Sequence, residues 1–203
     1  MFHSVKIRQW CSSFDTLIAK DYSGEKPISD AERRAIALLQ VYRQYLEINV
    51  AKYAYGQGDP CFWDRFTAEF SNMVNNAAIA TGLDGKGSEQ TSKSLFHMDI
   101  GVSSILFSII ARCRDPAIRR KAIGIMLADR SQEGVWNSPL AAQGAIKLME
   151  LEESRSGKEV KRSQDIPEGA RVRTVRLYLE SGKRTAKMIY GFDQGSWEWT
   201  IPS

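Results

Sequence analysis

Cysteine and histidine are scarce in this chain of 203 residues, which holds three of the first and two of the second. Cys11, Cys61 and Cys113 lie far apart and are odd in number. That argues against a disulfide framework and for a reducing compartment, nuclear or cytoplasmic. No two cysteines have zinc-ligand spacing, and His3 and His97 are the only imidazoles, so a structural metal site is not expected. Long apolar runs are missing too. The longest stretch, IGVSSILFSIIA at 100–111, falls short of the ~18 residues that a membrane span needs, so no membrane partner is expected. The first twenty residues lack both an uninterrupted apolar core and a small-residue cleavage site. Phosphate-cradling and hydrolase signatures are absent: no G-x-G-x-x-G, no Walker loop, no G-x-S-x-G, no H-E-x-x-H. No cofactor is expected. An RNP aromatic pattern and a six-cysteine cluster are also lacking, which argues against direct nucleic-acid binding.

What is present is ordinary in amount and uneven in place. Apolar residues make up 43% and charged residues 26%, as in soluble globular chains. Residues 1–154 balance 18 Lys/Arg against 18 Asp/Glu, whereas residues 155–187 hold 10 against 4. The net charge of +4 therefore sits in the C-terminal region. A solvated face is the plain reading of such a run, and attraction of an anionic partner is the sharper one.

Helix signals run from residue 4 to residue 153. Trp10, Phe14, Leu17 and Ile18 share one helical face. Ser29 with Glu32 reads as a capping box opening a long helix to about Tyr55, with Ile36, Leu39, Tyr42, Leu46 and Val50 expected inside. Asp59-Pro60 and Asp115-Pro116 are cap-proline starts, and Ser138-Pro139 is a third. Gly82 suits a helix C-terminus. Asp99 is placed as the cap of the apolar helix ending at Cys113. In the helix after Pro116, Ile118, Ala122, Ile125 and Met126 are expected inside, with Arg119, Arg120, Lys121 and Arg130 toward water. Glu150, Glu152 and Glu153 read as a solvated helix end, and Cys113 as a small buried hydrophobe.

After residue 154 the pattern changes. Residues 155–169 are polar and aperiodic, a linker or loop. ARVRTVRLYLE, SGK and RTAKMIYGF read as strand, turn, strand, and Asp193-Gln194-Gly195 turns into SWEWTIP. The expected fold is mostly α, about six helices in antiparallel hairpin-like packing, with a small C-terminal three-stranded antiparallel β-meander. The division is a helical domain over 1–154, a linker over 155–169 and a meander over 170–203, packed into one compact unit.

Few residues offer chemistry. His97 and Asp99 could orient an imidazole as acid–base partners, although the plain reading puts both in a helix-capping turn. Trp136, Trp197 and Trp199, with Tyr190, could line an apolar ligand pocket or could simply be helix–sheet packing.

Several motifs in order resemble a known family. CRDPAIRRKAIGIML, then EGVWNSPLAAQGAIKLMELEE, then IPEGARVRTVRLYLESGKRTAKMIY and a closing WEWTIP are similar to the C-terminal regulatory region of fungal binuclear zinc-cluster transcription factors. Asn137 stands where that pattern has aspartate, and the six-cysteine DNA-binding cluster is absent. The resemblance implies a regulatory, secondary-metabolism-related module without its own DNA-binding cluster, an excised domain or a stand-alone relative. It would sense a small apolar molecule or bind a partner protein, a second copy of the chain included. The alternative is a cofactor-independent cyclase or isomerase using His97 and Asp99 in a tryptophan-lined pocket.

Overall fold

The computed structural model describes residues 2–21, 28–56, 58–85, 96–97, 101–129, 132–133, 136–179 and 186–201. For residues 2–4, 21, 96–97, 132–133, 136, 179 and 186 it describes the backbone alone. Among the described residues are six α-helices followed by a three-stranded antiparallel sheet. The helices are α1 (Phe2–Asp21), α2 (Asp30–Tyr55), α3 (Thr67–Thr81), α4 (Ser103–Arg112), α5 (Pro116–Ala128) and α6 (Ser138–Arg155).

Local chemistry sets most helix ends. The Ser29 side chain accepts from the Glu32 amide and the Glu32 carboxylate accepts from the Ser29 amide, a complete capping box for α2. Asp115 accepts from the amides of Ala117 and Ile118, each at 3.0 Å, and starts α5. Gly82 ends α3 at φ 74°, a left-handed conformation that only glycine adopts cheaply. Asn137 caps α6 by accepting from the Leu140 amide at 3.0 Å, and the Ser138 hydroxyl turns inward to the Met126 carbonyl. The Asp59-Pro60 signal opens a 3-10 turn, Phe62–Phe66, before α3 begins. Val102 occupies the N-cap position of α4 without a side-chain cap bond, and Asp99, the expected cap, lies outside the described residues.

The helical core is built by α2–α5 with one face of α6, around Val41, Phe70, Met73, Ile109 and Met126. The face that α2 buries differs from the expected one. Ala37, Val41 and Ile48 point inward, while Leu39 and Leu46 are exposed. Held against α3, this long helix buries Ala37 and Val41 where the backbones approach, Leu38 and Tyr42 pack partly buried against the core, and Leu39 and Leu46 fall outside the seam. On α1, Cys11 and Phe14 are buried, while Trp10 and Leu17 are exposed.

The sheet comprises β4 (Thr174–Leu179), β5 (Ala186–Gly191) and β6 (Ser196–Ile201), after the two-residue strands β1 (Phe96–His97), β2 (Gln132–Glu133) and β3 (Trp136–Asn137), which form a small separate sheet. In the larger sheet Val175 pairs with Tyr190 and Tyr190 with Trp197; Leu177 pairs with Met188 and Met188 with Trp199. Directly paired residues share a face, so one side is Val175, Leu177, Met188, Tyr190, Trp197, Trp199 and Ile201. That face packs on Leu148 of α6 and its neighbours Leu140 and Leu151. Gly144 makes the close approach possible: a Cβ there would lie 2.3 Å from the Met188 sulfur. Residues 155–169, expected as a linker or loop, hold two 3-10 turns, Ser163–Asp165 and Glu168–Ala170, and bury Ile166 completely.

Candidate functional site

The stretch from Arg112 to Arg119 builds two sites that differ in kind. Arg114 and Arg119 are 3% and 0% exposed, and Glu152 of α6, also 0% exposed, lies between them. Glu152 Oε1 accepts from Arg114 Nη2 at 3.1 Å and from the Val172 amide at 2.7 Å, while Oε2 accepts from Arg119 Nη2. Arg119 Nε also donates to the carbonyls of Ile110 and Cys113, closing the open C-terminus of α4. Burial alone would push the Glu152 carboxyl up. The two guanidiniums and the Val172 amide overcome it and hold the group below its ordinary value. The expectation that Arg119 faces water and that Glu152 lies on a solvated face is therefore overturned: each buries its charge because the other neutralises it. A second buried pair, Arg171 bidentate on Asp64 at 3.0 and 2.7 Å, ties the segment before β4 to the turn before α3. Cys113, between Arg112 and Arg114, is 1% exposed, and burial pushes its thiol up to about 11. It is an inert packing residue at neutral pH.

Arg112 turns the other way, into a cleft of about 610 Å³ where α2, α4 and the turn before α3 meet the segment leading into β4. Its apolar walls include Trp63, Ile105, Phe107, Val172 and Val175. Its polar groups are Tyr45, Ser104 and Ser108, the acidic Asp59, and three cations, Lys52, Arg112 and Arg173. The Arg112 guanidinium lies 4.9 Å from the Trp63 ring centre and donates to the Ser108 carbonyl at 3.2 Å. Burial lowers its pKa, and the Tyr45 hydroxyl beside it pulls the other way. Lys52 lies over the same indole at 5.6 Å and over Phe62 at 5.2 Å, and donates to the carbonyls of Gly56 and Asp59. Burial lowers its pKa as well, with Asp59 opposing and Arg173 adding to the effect. Among the described residues neither Arg112 nor Lys52 has a carboxylate in salt-bridge contact, whereas Arg173 has two, Glu168 at 3.0 Å and Asp193 at 2.6 Å.

Of the residues singled out from sequence, Tyr190, Trp197 and Trp199 lie elsewhere. The His97 backbone pairs with Glu133 in the small sheet and Trp136 pairs with Glu133 from the other side. The side chains of both are outside the described set, as is Asp99 altogether. Tyr190 is fully buried on the inner sheet face; its hydroxyl donates to the Gly144 carbonyl at 2.8 Å, and burial raises its pKa. Trp197 packs 5.9 Å from Tyr190 with Lys147 over its ring, and Trp199 borders a shallow groove of about 270 Å³ on α6. None of these three lines the larger cleft. Tyr45, Lys52, Trp63 and Arg112 do, and the sequence reading named none of them as a site residue. Among the described residues there is no group of three or more His, Cys, Asp or Glu side chains able to hold a metal, and no helix long and apolar enough to cross a membrane. All three cysteines are free thiols.

The fold and the cleft define a helical module with an appended meander and a cationic, partly apolar recess. No family model matches the chain, and no solved structure matches it. Among characterised proteins, it is 32% identical over 103 residues to the aspercryptin biosynthesis cluster-specific transcription regulator atnN of Emericella nidulans. The match takes in 49% of this chain and 17% of that regulator. The chain is thus distantly related to part of a fungal transcription regulator.

Proposed function

We propose that this chain is a regulatory module of the kind found in fungal zinc-cluster transcription regulators, acting in the nucleus or cytoplasm, and that its output is set by a small molecule or a partner protein. The distant relationship to the aspercryptin cluster regulator supports the class. The single observation that carries the sensing role is the 610 Å³ cleft, with aromatic walls and two cations that, among the described residues, have no carboxylate in salt-bridge contact. Its volume falls within the ~300–1,000 Å³ usual for small-molecule sites. It also adjoins the segment that ties the sheet to the helices, so an occupant would touch both layers at once.

Two measurements test the reading. Fused to a heterologous DNA-binding domain, the chain is expected to change reporter transcription. Native mass spectrometry of the chain purified from a fungal host, followed by denaturing extraction, is expected to release a bound small organic compound or a stoichiometric partner. A fusion that leaves the reporter unchanged, with a bare monomer mass, would remove the regulatory reading.

A further inference from the structure

We infer that the cleft between α2, α4 and the start of β4 is a site for an organic acid, whose carboxylate sits at Arg112 and Lys52 and whose flat apolar body lies against Trp63 and Phe107. This deepens the small-molecule arm of the reading above and rests on it.

Charge accounting picks out the anion. The folded chain neutralises its other deeply placed guanidiniums with carboxylates: Arg114 and Arg119 with Glu152, Arg171 with Asp64. Arg112 sits next to Cys113 and, among the described residues, meets a neutral carbonyl, the face of an indole and the Tyr45 hydroxyl but no carboxylate. A partly desolvated guanidinium left without a counter-charge is costly, and a bound carboxylate removes that cost. Lys52 repeats the pattern, held by two backbone carbonyls over the same ring. The acidic group on the cleft wall, Asp59, accepts from the Cys61 amide at 2.8 Å through Oδ1 and its charge acts on Lys52, so Arg112 carries the case for the anion. Arg173 is committed to Glu168 and Asp193, though its Nε lacks a partner among the described residues.

Shape narrows the anion to a carboxylate on an apolar frame. A guanidinium stacked on an indole presents its donor edge in a plane, which suits a bidentate carboxylate. The remaining wall, Ile105, Val172 and Val175, offers no charge and gains from covering by an apolar body. Tyr45, whose hydroxyl meets Ser108 Oγ at 3.0 Å, leaves a neutral hydrogen-bonding pair at the cleft for a carbonyl or hydroxyl of the same ligand.

The probe is 2-naphthoate, set against its neutral isostere 2-naphthamide, titrated into the full chain by calorimetry at pH 7. The naphthoate is expected to bind at least about tenfold more tightly than the amide, a difference typical of one charge-assisted contact. Arg112→Met should remove that preference while leaving amide binding in place, and Lys52→Gln should reduce it by a smaller factor. Should Arg112→Met fail to fold, the Trp63 indole N–H resonance of the wild-type chain, saturated by naphthoate at about a tenth of the concentration the amide needs, carries the same test. Equal affinity for acid and amide would overturn the organic-acid assignment and leave a small-molecule module standing. Absence of binding by both would overturn the assignment together with the small-molecule arm, leaving the partner arm to the reporter assay. An acidic peptide such as hexaglutamate that displaces naphthoate at matched carboxylate concentration would overturn it in favour of a protein partner.

Discussion

Arg112 and Arg114 are separated by one residue and end in opposite surroundings. Arg114 enters a closed cluster where its Nη2 donates to Glu152 and to the Val172 carbonyl; Arg112 enters a cleft where it donates to a neutral carbonyl. The extended conformation at Cys113 (φ −75°, ψ 123°) ends α4 between them and sends the two side chains apart. The pair separates two uses of buried charge. One fixes the relation of α4, α5, α6 and the segment before β4. The other leaves a cation that, among the described residues, has no carboxylate in salt-bridge contact, a cost to the fold that the proposed ligand would offset.

The largest expected effect comes from opening the closed cluster. Glu152→Gln keeps the volume but strands two buried guanidiniums, and should cost about 3–5 kcal/mol. Against a total of about 5–15 kcal/mol for a typical domain, that shift is visible as a large drop in the urea midpoint. The pH dependence has the same origin. Because the folded Glu152 carboxyl is held below its ordinary value, its contribution is complete above the unfolded carboxylate's ~4.3 and is lost as pH falls through the folded value. Acid titration should therefore destabilise the wild type more steeply than Glu152→Gln. An identical acid limb in the two proteins would place the stabilising charge elsewhere.

Next in size is the seam between α6 and the sheet. Gly144→Val would press against Met188 and the Tyr190 hydroxyl, and overpacking of this kind costs about 1–3 kcal/mol. Loss of near-ultraviolet circular dichroism from Trp197 and Trp199, with helical signal retained, would locate the damage at the sheet. Smaller still is the α6 cap. Asn137→Ala should cost about 1 kcal/mol, and Asn137→Asp should be close to neutral because both side chains accept from the Leu140 amide. The asparagine that departs from the family-like pattern therefore changes the cap's charge and leaves its hydrogen bond intact.

What the sequence disclosed followed interaction range. The capping box at Ser29, the Asp115 cap before Pro116, the glycine end at Gly82 and the alternating strands around the Asp193–Gly195 turn depend on residues two to four apart, and all are read directly. On α2 wheel reasoning favours the largest apolar residues and correctly turns Tyr42 toward the core, whereas Ala37 and Val41 take the deepest positions and Leu39 and Leu46 stay exposed. The Arg119–Glu152 pairing spans 33 positions, and the cleft draws on α2, the turn before α3, α4 and the strand segment. No local pattern carries such a meeting. A basic run beginning Arg-Cys-Arg-Asp-Pro is equally consistent with water, phosphate or a buried carboxylate until Glu152 is in place.

The smallest expected stability effect is the most discriminating for the comparison. Arg112→Met keeps the aliphatic stem against Trp63 and removes the charge. Losing the contact with the indole face costs about 0.5–1 kcal/mol, and losing the partly desolvated charge returns a similar amount. The urea midpoint should then stay within experimental scatter of the wild type, while Glu152→Gln falls far below it. A midpoint for Arg112→Met as low as that of Glu152→Gln would make Arg112 a scaffold residue like Arg114 and erase the difference between the two regions. A midpoint equal to or above the wild type would identify Arg112 as a residue whose burial the fold does not need. Its placement would then be explained by what enters the cleft.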